Sequence, residues 1–197
     1  EIFFHFWIFI EIPDNFIHMI NNLFNQLIIT IIPVLPRWIV WKIAGRYVAG
    51  ETSAKALAVV RQLNDKGYSA TVDILGEHTN SKNEAAEITR EYINIYDEIS
   101  KQQLDCNISI KPSHIGQDIS NEILQTNLDK LLFKAKETNN FLRIDMESST
   151  VTDNTISLYK NCRNKYKNVG TVFQAYLYRS QTDLEQLYKN GRFKIYR

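Results

Sequence analysis

Asn107-Ile108-Ser109-Ile110-Lys111 and Phe141-Leu142-Arg143-Ile144-Asp145-Met146 decide the fold. Each is a short β-prone run with a charged residue at or near its end. Between them, Ser120 to Lys136 carries Ile123, Leu124, Leu128, Leu131 and Leu132 at helical spacing. Strand, helix, strand in that order is a βαβ unit with parallel strands. The same alternation extends in both directions. Upstream, Gly50-Glu51-Thr52-Ser53 breaks the chain and offers a helix cap. Ala56, Leu57, Val60 and Leu63 then recur at helical spacing up to Lys66-Gly67. Ala70 to Gly76 is β-prone, and a charged helix from Ser81 to Gln102 follows with Ile88, Tyr92, Ile95, Tyr96 and Ile99. Downstream come a helix from Asp153 to Tyr166, a strand from Val169 to Tyr176, a short helix from Thr182 to Lys189, and the start of a fifth strand, Arg192 to Tyr196.

Such a chain closes either as a doubly wound open sheet or as a (β/α)8 barrel. The sequence has no GxGxxG after its first strand, which weakens the dinucleotide fold. The strand ends favour the barrel. Asp73 and Glu77, Lys111, Asp145 and Glu147, Gln174, and Lys194 and Arg197 each stand where a strand finishes. Barrel enzymes gather their reacting groups at that edge. The expected architecture is α/β: a partial (β/α)8 TIM-type barrel of about five βα units over residues 51–197, after N-terminal helices in 19–50.

The bulk numbers exclude some functions. The chain has 197 residues, 44% of them hydrophobic, and 23 basic side chains against 22 acidic. That supports one sizeable core, and a net charge of +1 gives no electrostatic footprint for nucleic acid. Cys106 and Cys162 lie far apart and form no CxxC, which fits apolar fillers in a reducing compartment; no metal-ligand spacing occurs. Residues 1–18 are aromatic-rich without the basic region or cleavage site of a signal peptide, and Met19-Ile20-Asn21-Asn22 reads like a natural start. The expectation is that 1–18 is a non-native upstream segment. Phe16 to Pro36 holds no Asp, Glu, Lys or Arg, yet Asn21, Asn22, Asn25, Gln26, Pro33 and Pro36 interrupt it. It suits helices that pack on a domain or lie on a membrane surface better than a spanning helix.

Four blocks carry a resemblance. Gly50-Glu51-Thr52 and Leu63-Asn64-Asp65-Lys66-Gly67 with Ala70-Thr71-Val72-Asp73-Ile74-Leu75-Gly76-Glu77, Ser109-Ile110-Lys111-Pro112-Ser113-His114-Ile115-Gly116, Arg143-Ile144-Asp145-Met146-Glu147, and Gln174-Ala175-Tyr176-Leu177-Tyr178-Arg179-Ser180 resemble, in order and spacing, the proline dehydrogenase family of the monofunctional bacterial type. The resemblance covers the family's N-terminal two-thirds. It implies a distorted (β/α)8 barrel holding FAD, a flavoprotein oxidoreductase of proline catabolism. A hydride from the Cα–N unit of L-proline passes to flavin N5, giving Δ1-pyrroline-5-carboxylate, with electrons going on to a quinone. A cytoplasmic protein, peripheral to the inner membrane, is implied with it.

Residue by residue, the resemblance makes Lys111 the substrate-binding lysine and Asp145 an active-site aspartate, with Lys111 its expected ion-pair partner on the neighbouring strand. Met146 and Gln174 become flavin contacts. The ordinary alternatives are a lysine snorkelling at the mouth, a structural salt bridge, and core packing for Met146. A further stretch, at residues 194–197, departs from the family's arginine, two apolar residues and lysine. Here it reads Lys194-Ile195-Tyr196-Arg197, with both cations exchanged; the resemblance implies a catalytic role for Lys194 and a cofactor role for Arg197, with positive charge kept and the bidentate geometry of arginine lost at the first position. His78 and His114 read as loop residues, since flavin hydride transfer needs no histidine base. A family member continues for roughly a hundred residues more, with an arginine pair on its eighth helix for the substrate carboxylate. The chain alone is therefore expected to be an inactive piece of such an enzyme. The alternatives are a non-catalytic fragment or another flavin barrel, such as a methylenetetrahydrofolate reductase relative.

Overall fold

The computed structural model describes Pro36 and residues 48–189. The chain divides into two compact units, Glu1–Glu51 and Thr52–Arg197, and nearly all the described residues belong to the second. The expected upstream segment 1–18, nearly all of the helical region 19–50, and the fifth strand with Lys194 and Arg197 lie outside the described residues.

Within the second unit the order is α1 (Ser53–Asn64), β1 (Ala70–Val72), α2 (Lys82–Lys101), β2 (Cys106–Ile110), α3 (Asn121–Glu137), β3 (Leu142–Ile144), α4 (Thr152–Lys165), β4 (Val169–Thr171) and α5 (Ser180–Lys189). Short 3-10 turns, Pro112–Ile115 and Ser149–Val151, follow β2 and β3. Three helices begin on a hydroxyl cap. Thr52, Ser81 and Ser120 accept from the amides of Lys55, Glu84 and Ile123, each contact worth about 1 kcal/mol to its helix. In α2 the side chain of Glu84 also reaches back to the Asn80 amide, a close relative of the capping box.

All strands pair in parallel, in the order β1-β2-β3-β4. The order never reverses, so there is no switch point of the doubly wound kind. Right-handed crossovers then place α2, α3 and α4 on one face, which is the opening arc of a (β/α)8 barrel. Burial agrees. Ile108, Ile110, Leu142 and Ile144 are fully buried beneath the helices, whereas Thr71 and Asp73 on the other face are exposed. Helix α2 buries Ala85, Thr89, Tyr92, Ile95, Tyr96 and Ile99, and α3 buries Leu124, Leu128, Leu131, Leu132 and Ala135. The spacings of three and four residues form one apolar stripe on each helix.

The strands are shorter than the β-prone runs. The run Ala70–Gly76 pairs only to Val72, and Val169–Tyr176 only to Thr171. The β4 ladder lasts only as long as its neighbour β3 stays extended. Thr171 lies opposite Ile144, and just beyond it the neighbouring chain bends toward the turn at Ser149. The segment 175–179 forms turns, and α5 starts at Ser180 rather than Thr182.

Asparagines clasp the opposite edge. Asn64 Nδ2 donates to the Asp105 carbonyl at 3.0 Å, Asn140 Nδ2 to the Cys106 carbonyl at 2.9 Å, and Asn168 Nδ2 to the Asn140 carbonyl at 3.1 Å. Each of these residues precedes a strand and ties it to the backbone near the start of its neighbour.

Candidate active site

The C-terminal edge of the sheet carries a connected set of charges. Asp73 follows β1 directly, Lys111 follows β2 and Asp145 follows β3, on the face away from the helices. The Lys111 side chain is 22% exposed, and its Nζ lies 3.1 Å from Asp73 Oδ2 and 3.7 Å from Glu77 Oε1. Partial burial pulls the lysine pKa down. The hydrogen bond to Asp73, with the charges of Asp73, Glu77 and Asp145, outweighs that and holds it above the ordinary lysine value. The other oxygen of Asp73 is engaged too: the Tyr92 hydroxyl donates to Oδ1 at 2.8 Å and accepts the Ile74 amide at 3.2 Å. Burial, then the charge of Asp73, pushes the Tyr92 phenol far up, so it is a neutral donor.

Lys111 therefore pairs with Asp73, which corrects the expected partnership with Asp145. The two strand ends do adjoin, since the Asp145 amide donates to the Ile110 carbonyl at 2.9 Å. Asp145 takes its partner from its own strand instead. Arg143, two residues back and on the same face, places Nε 3.0 Å from Asp145 Oδ1 and 3.2 Å from Ser109 Oγ. An i, i+2 neighbour on a strand shares its face, so the nearer cation wins and the long lysine chain reaches toward β1. The charge of Asp145 still acts on Lys111.

A second set joins the loops beneath this row. Ser113 donates to Glu147 through its hydroxyl and, at 3.0 Å, through its amide, while Thr79 donates to the Ser113 carbonyl through both its amide and its hydroxyl. The loops after β1, β2 and β3 are thus held together. Gly76 has φ +154, and a Cβ there would overlap the imidazole of His114; a side chain is excluded both by conformation and by space.

His114 differs from the expected loop residue: it is 5% exposed, and its Nδ1 has no hydrogen-bond partner among the described residues. Burial depresses its pKa, and the charges of Asp73, Lys111, Glu84 and Glu147 modify that effect in both directions. His78 remains a loop residue, paired with Asp118 at 2.7 Å, and its pKa is raised, first by that hydrogen bond. The linkage has a definite sign. His114 resists protonation in the folded state, so its contribution to stability is intact above the unfolded value near pH 6.5 and is lost as pH falls through and below it. His78 acts in the opposite direction. The drop in Tm between about pH 8 and about pH 5.5 is expected to be smaller in His114→Gln than in the parent chain, as read by thermal melts. An equal or larger drop would contradict the assignment.

Gln174 and Met146 adjoin. Gln174 Nε2 donates to the Met146 carbonyl at 3.4 Å, while its Oε1 is buried with no partner among the described residues. Ser180 Oγ donates to the Gln174 carbonyl at 2.6 Å, and Arg179 binds Asp153 and Asp183, which anchors this loop to α4 and α5. A cavity of about 780 Å³ lined by Asp105, Lys136, Asn140, Lys165 and Lys167 opens at the other end of the strands, the end that barrels use for stability rather than chemistry. Cys106 and Cys162 are buried, and burial lifts their thiols to about 11 and about 12, consistent with apolar fillers. Among the described residues, no group of three His, Cys, Asp or Glu side chains could hold a metal ion, and no helix is long and apolar enough to cross a membrane.

Sequence marked Asp73 and Glu147 only as polar strand ends, and it assigned no polar role to Tyr92, Arg143 or Ser113. Their side chains act across strands, and only the register reveals that. The one available signal was the pairing of an acidic strand end, Asp73, with a tyrosine on the helix that follows.

The comparisons agree with this layout. The family model for proline dehydrogenase matches residues 56–197. Proline dehydrogenase 1 of Bacillus subtilis subsp. natto is 38% identical over 144 residues, covering 73% of this chain and 48% of that protein. Proline dehydrogenase of Deinococcus radiodurans is 32% identical over 179 residues, covering 86% and 58%. The chain thus spans about half the length of the curated relatives it matches. Among solved structures, proline utilization A of Bdellovibrio bacteriovorus, inactivated by N-propargylglycine, superposes with a TM-score of 0.67 at 26% identity, over 74% of this chain and 18% of that one. The family match also sets aside a methylenetetrahydrofolate reductase relative. A parallel arc with a lysine and two aspartates at its strand ends, and a family model spanning most of the sequence, together mean that this chain belongs to the proline dehydrogenase family.

Proposed function

We propose that the chain supplies the first part of a flavin-dependent site that oxidises L-proline to Δ1-pyrroline-5-carboxylate. The observation that carries this is the half-buried ammonium of Lys111, held at the strand ends where a barrel presents its substrate. An amino-acid carboxylate needs a fixed cation, and Lys111 is placed to offer one. Asp145, the active-site aspartate in this proposal, is itself held by Arg143. The acidic groups Asp73, Glu77 and Asp145 favour the positive ring nitrogen of the same zwitterion. The product carries its double bond between the ring nitrogen and the former Cδ. The hydride therefore leaves Cδ and a proton leaves nitrogen, which corrects the expected Cα–N site.

FAD, when bound, supplies the two-electron acceptor. The residues fit such a ring: Gln174 keeps a buried acceptor without a partner among the described residues, where a flavin N–H would satisfy it, and Met146 beside it gives a polarizable contact. Lys194 as a catalytic cation and Arg197 as a cofactor contact belong to the same proposal. So do a barrel segment starting near residue 51, a quinone acceptor, and peripheral contact with the inner membrane. The uncharged stretch from Phe16 to Pro36 supports the last.

The test is to join the chain to the remaining C-terminal part of a Bacillus subtilis relative. The completed protein is expected to purify yellow and to reduce a dye with L-proline. Gln174→Ala is expected to lower flavin occupancy, measured as absorbance released on denaturation, with the circular dichroism spectrum unchanged. A folded, colourless protein that gains nothing from added FAD would favour the non-catalytic alternative.

A further inference from the structure

We infer that Asp73 is a positioning residue that fixes the Lys111 ammonium at the barrel mouth, and that Tyr92 holds Asp73 in place. The inference rests on the proposal that Lys111 binds the substrate carboxylate. A lysine side chain has four rotatable bonds and a compact charge, so by itself it does not define where its ammonium sits. Asp73 removes that freedom with a 3.1 Å contact from Oδ2, while Glu77, at 3.7 Å and half exposed, is the weaker partner. What distinguishes Asp73 from an ordinary surface carboxylate is its own support. Tyr92 is fully buried in the stripe of α2, and its hydroxyl donates to Oδ1 of Asp73. The same hydroxyl accepts the amide of Ile74, the next residue along the chain. A rigid helix, a phenol, a carboxylate and an ammonium thus form one line from the core to the mouth.

The two oxygens of Asp73 accept from two different donors, and this makes asparagine an informative replacement. Its amide has one oxygen and one NH2, so it cannot accept from both Tyr92 and Lys111. The first experiment uses the chain as it stands. Lysine amines are acetylated with a limiting amount of acetic anhydride over a range of pH, and peptide mass spectrometry reads each site. In Asp73→Asn, Lys111 is expected to react several-fold faster at a given alkaline pH and to titrate lower than in the parent, while the other lysines are unchanged.

The second experiment uses the completed enzyme. Asp73→Asn is expected to raise the KM for L-proline about tenfold, with kcat within a factor of about three, as for a lost ground-state contact. Tyr92→Phe, which keeps the ring in the core, is expected to move KM in the same direction by less. A merely structural role would lower the yield of folded protein or kcat and leave KM in place. Unchanged Lys111 reactivity in folded Asp73→Asn overturns the inference. So does an unchanged KM in both variants, and should Asp73→Asn not fold, an unchanged KM in Tyr92→Phe alone does so. Failure of the functional proposal looks different: Lys111→Ala would leave KM unmoved while the labelling response to Asp73→Asn persisted.

Discussion

Lys111→Ala is expected to raise the KM for L-proline of the completed enzyme by about 10- to 100-fold, with a much smaller change in kcat. A hydrogen bond to a charged group contributes about 1.5–3 kcal/mol, and each 1.4 kcal/mol is tenfold in affinity. The carboxylate is distant from the reacting carbon of proline, so its contact is made alike in ground and transition states and appears mainly in KM. Truncation adds a second effect. Asp73 and Glu77 lose their shared cation, and two carboxylates then face an approaching third. Lys111→Arg restores charge without the compact ammonium, and is expected to recover affinity only in part. Steady-state kinetics with an artificial acceptor provide the measurement; a KM within twofold of the parent in Lys111→Ala would refute the substrate role.

The largest expected change in stability comes from Tyr96→Ala, at about 3–5 kcal/mol. Tyr96 is fully buried, and its hydroxyl donates to the Phe141 carbonyl at 3.0 Å, just before β3. Removing the ring opens a cavity in the stripe of α2 and deletes that donor. Tyr96→Phe separates the two effects, since it keeps the ring and loses only the hydrogen bond, at about 1 kcal/mol. Urea titration of both variants checks the ratio. Equal losses would mean that the hydroxyl, and not the packing, dominates.

Much of this architecture was legible because its signals are local. Helical spacing located α1, α2 and α3, with a cap legible before α1, and the polar strand ends chose the barrel over the open sheet. The order of motif blocks identified the family. The pairing of side chains was less legible. Lys111 and Asp145 adjoin in the sheet, and opposite charges on adjacent strands made them look like partners. The structure gives Asp145 to Arg143 because two residues on one strand face the same way, a preference that block matching does not weigh. Tyr92 read as one more apolar position of α2. A buried tyrosine has a polar tip that must find a partner, and the acidic strand end facing it was the candidate. His114 looked like a loop residue because the 3-10 turn after Pro112 that buries it leaves little trace in spacing.

The asparagine clasps at the far edge bear on the alignment of the mouth. Strands β1, β3 and β4 are three residues each, so their ladders hold few bonds to resist a slip along the strand direction. A slip of one residue would turn Thr71 and Asp73 into the helix layer and bring Val72 to the mouth. A slip of two would keep the facing but carry Asp73 about 6.6 Å past Lys111, beyond ion-pair reach. Asn64, Asn140 and Asn168 sit at the opposite end of the strands from the charges, and they work as stops that fix how far each strand can slide. The meeting of ammonium and carboxylate at one edge is thereby set by amide side chains at the other.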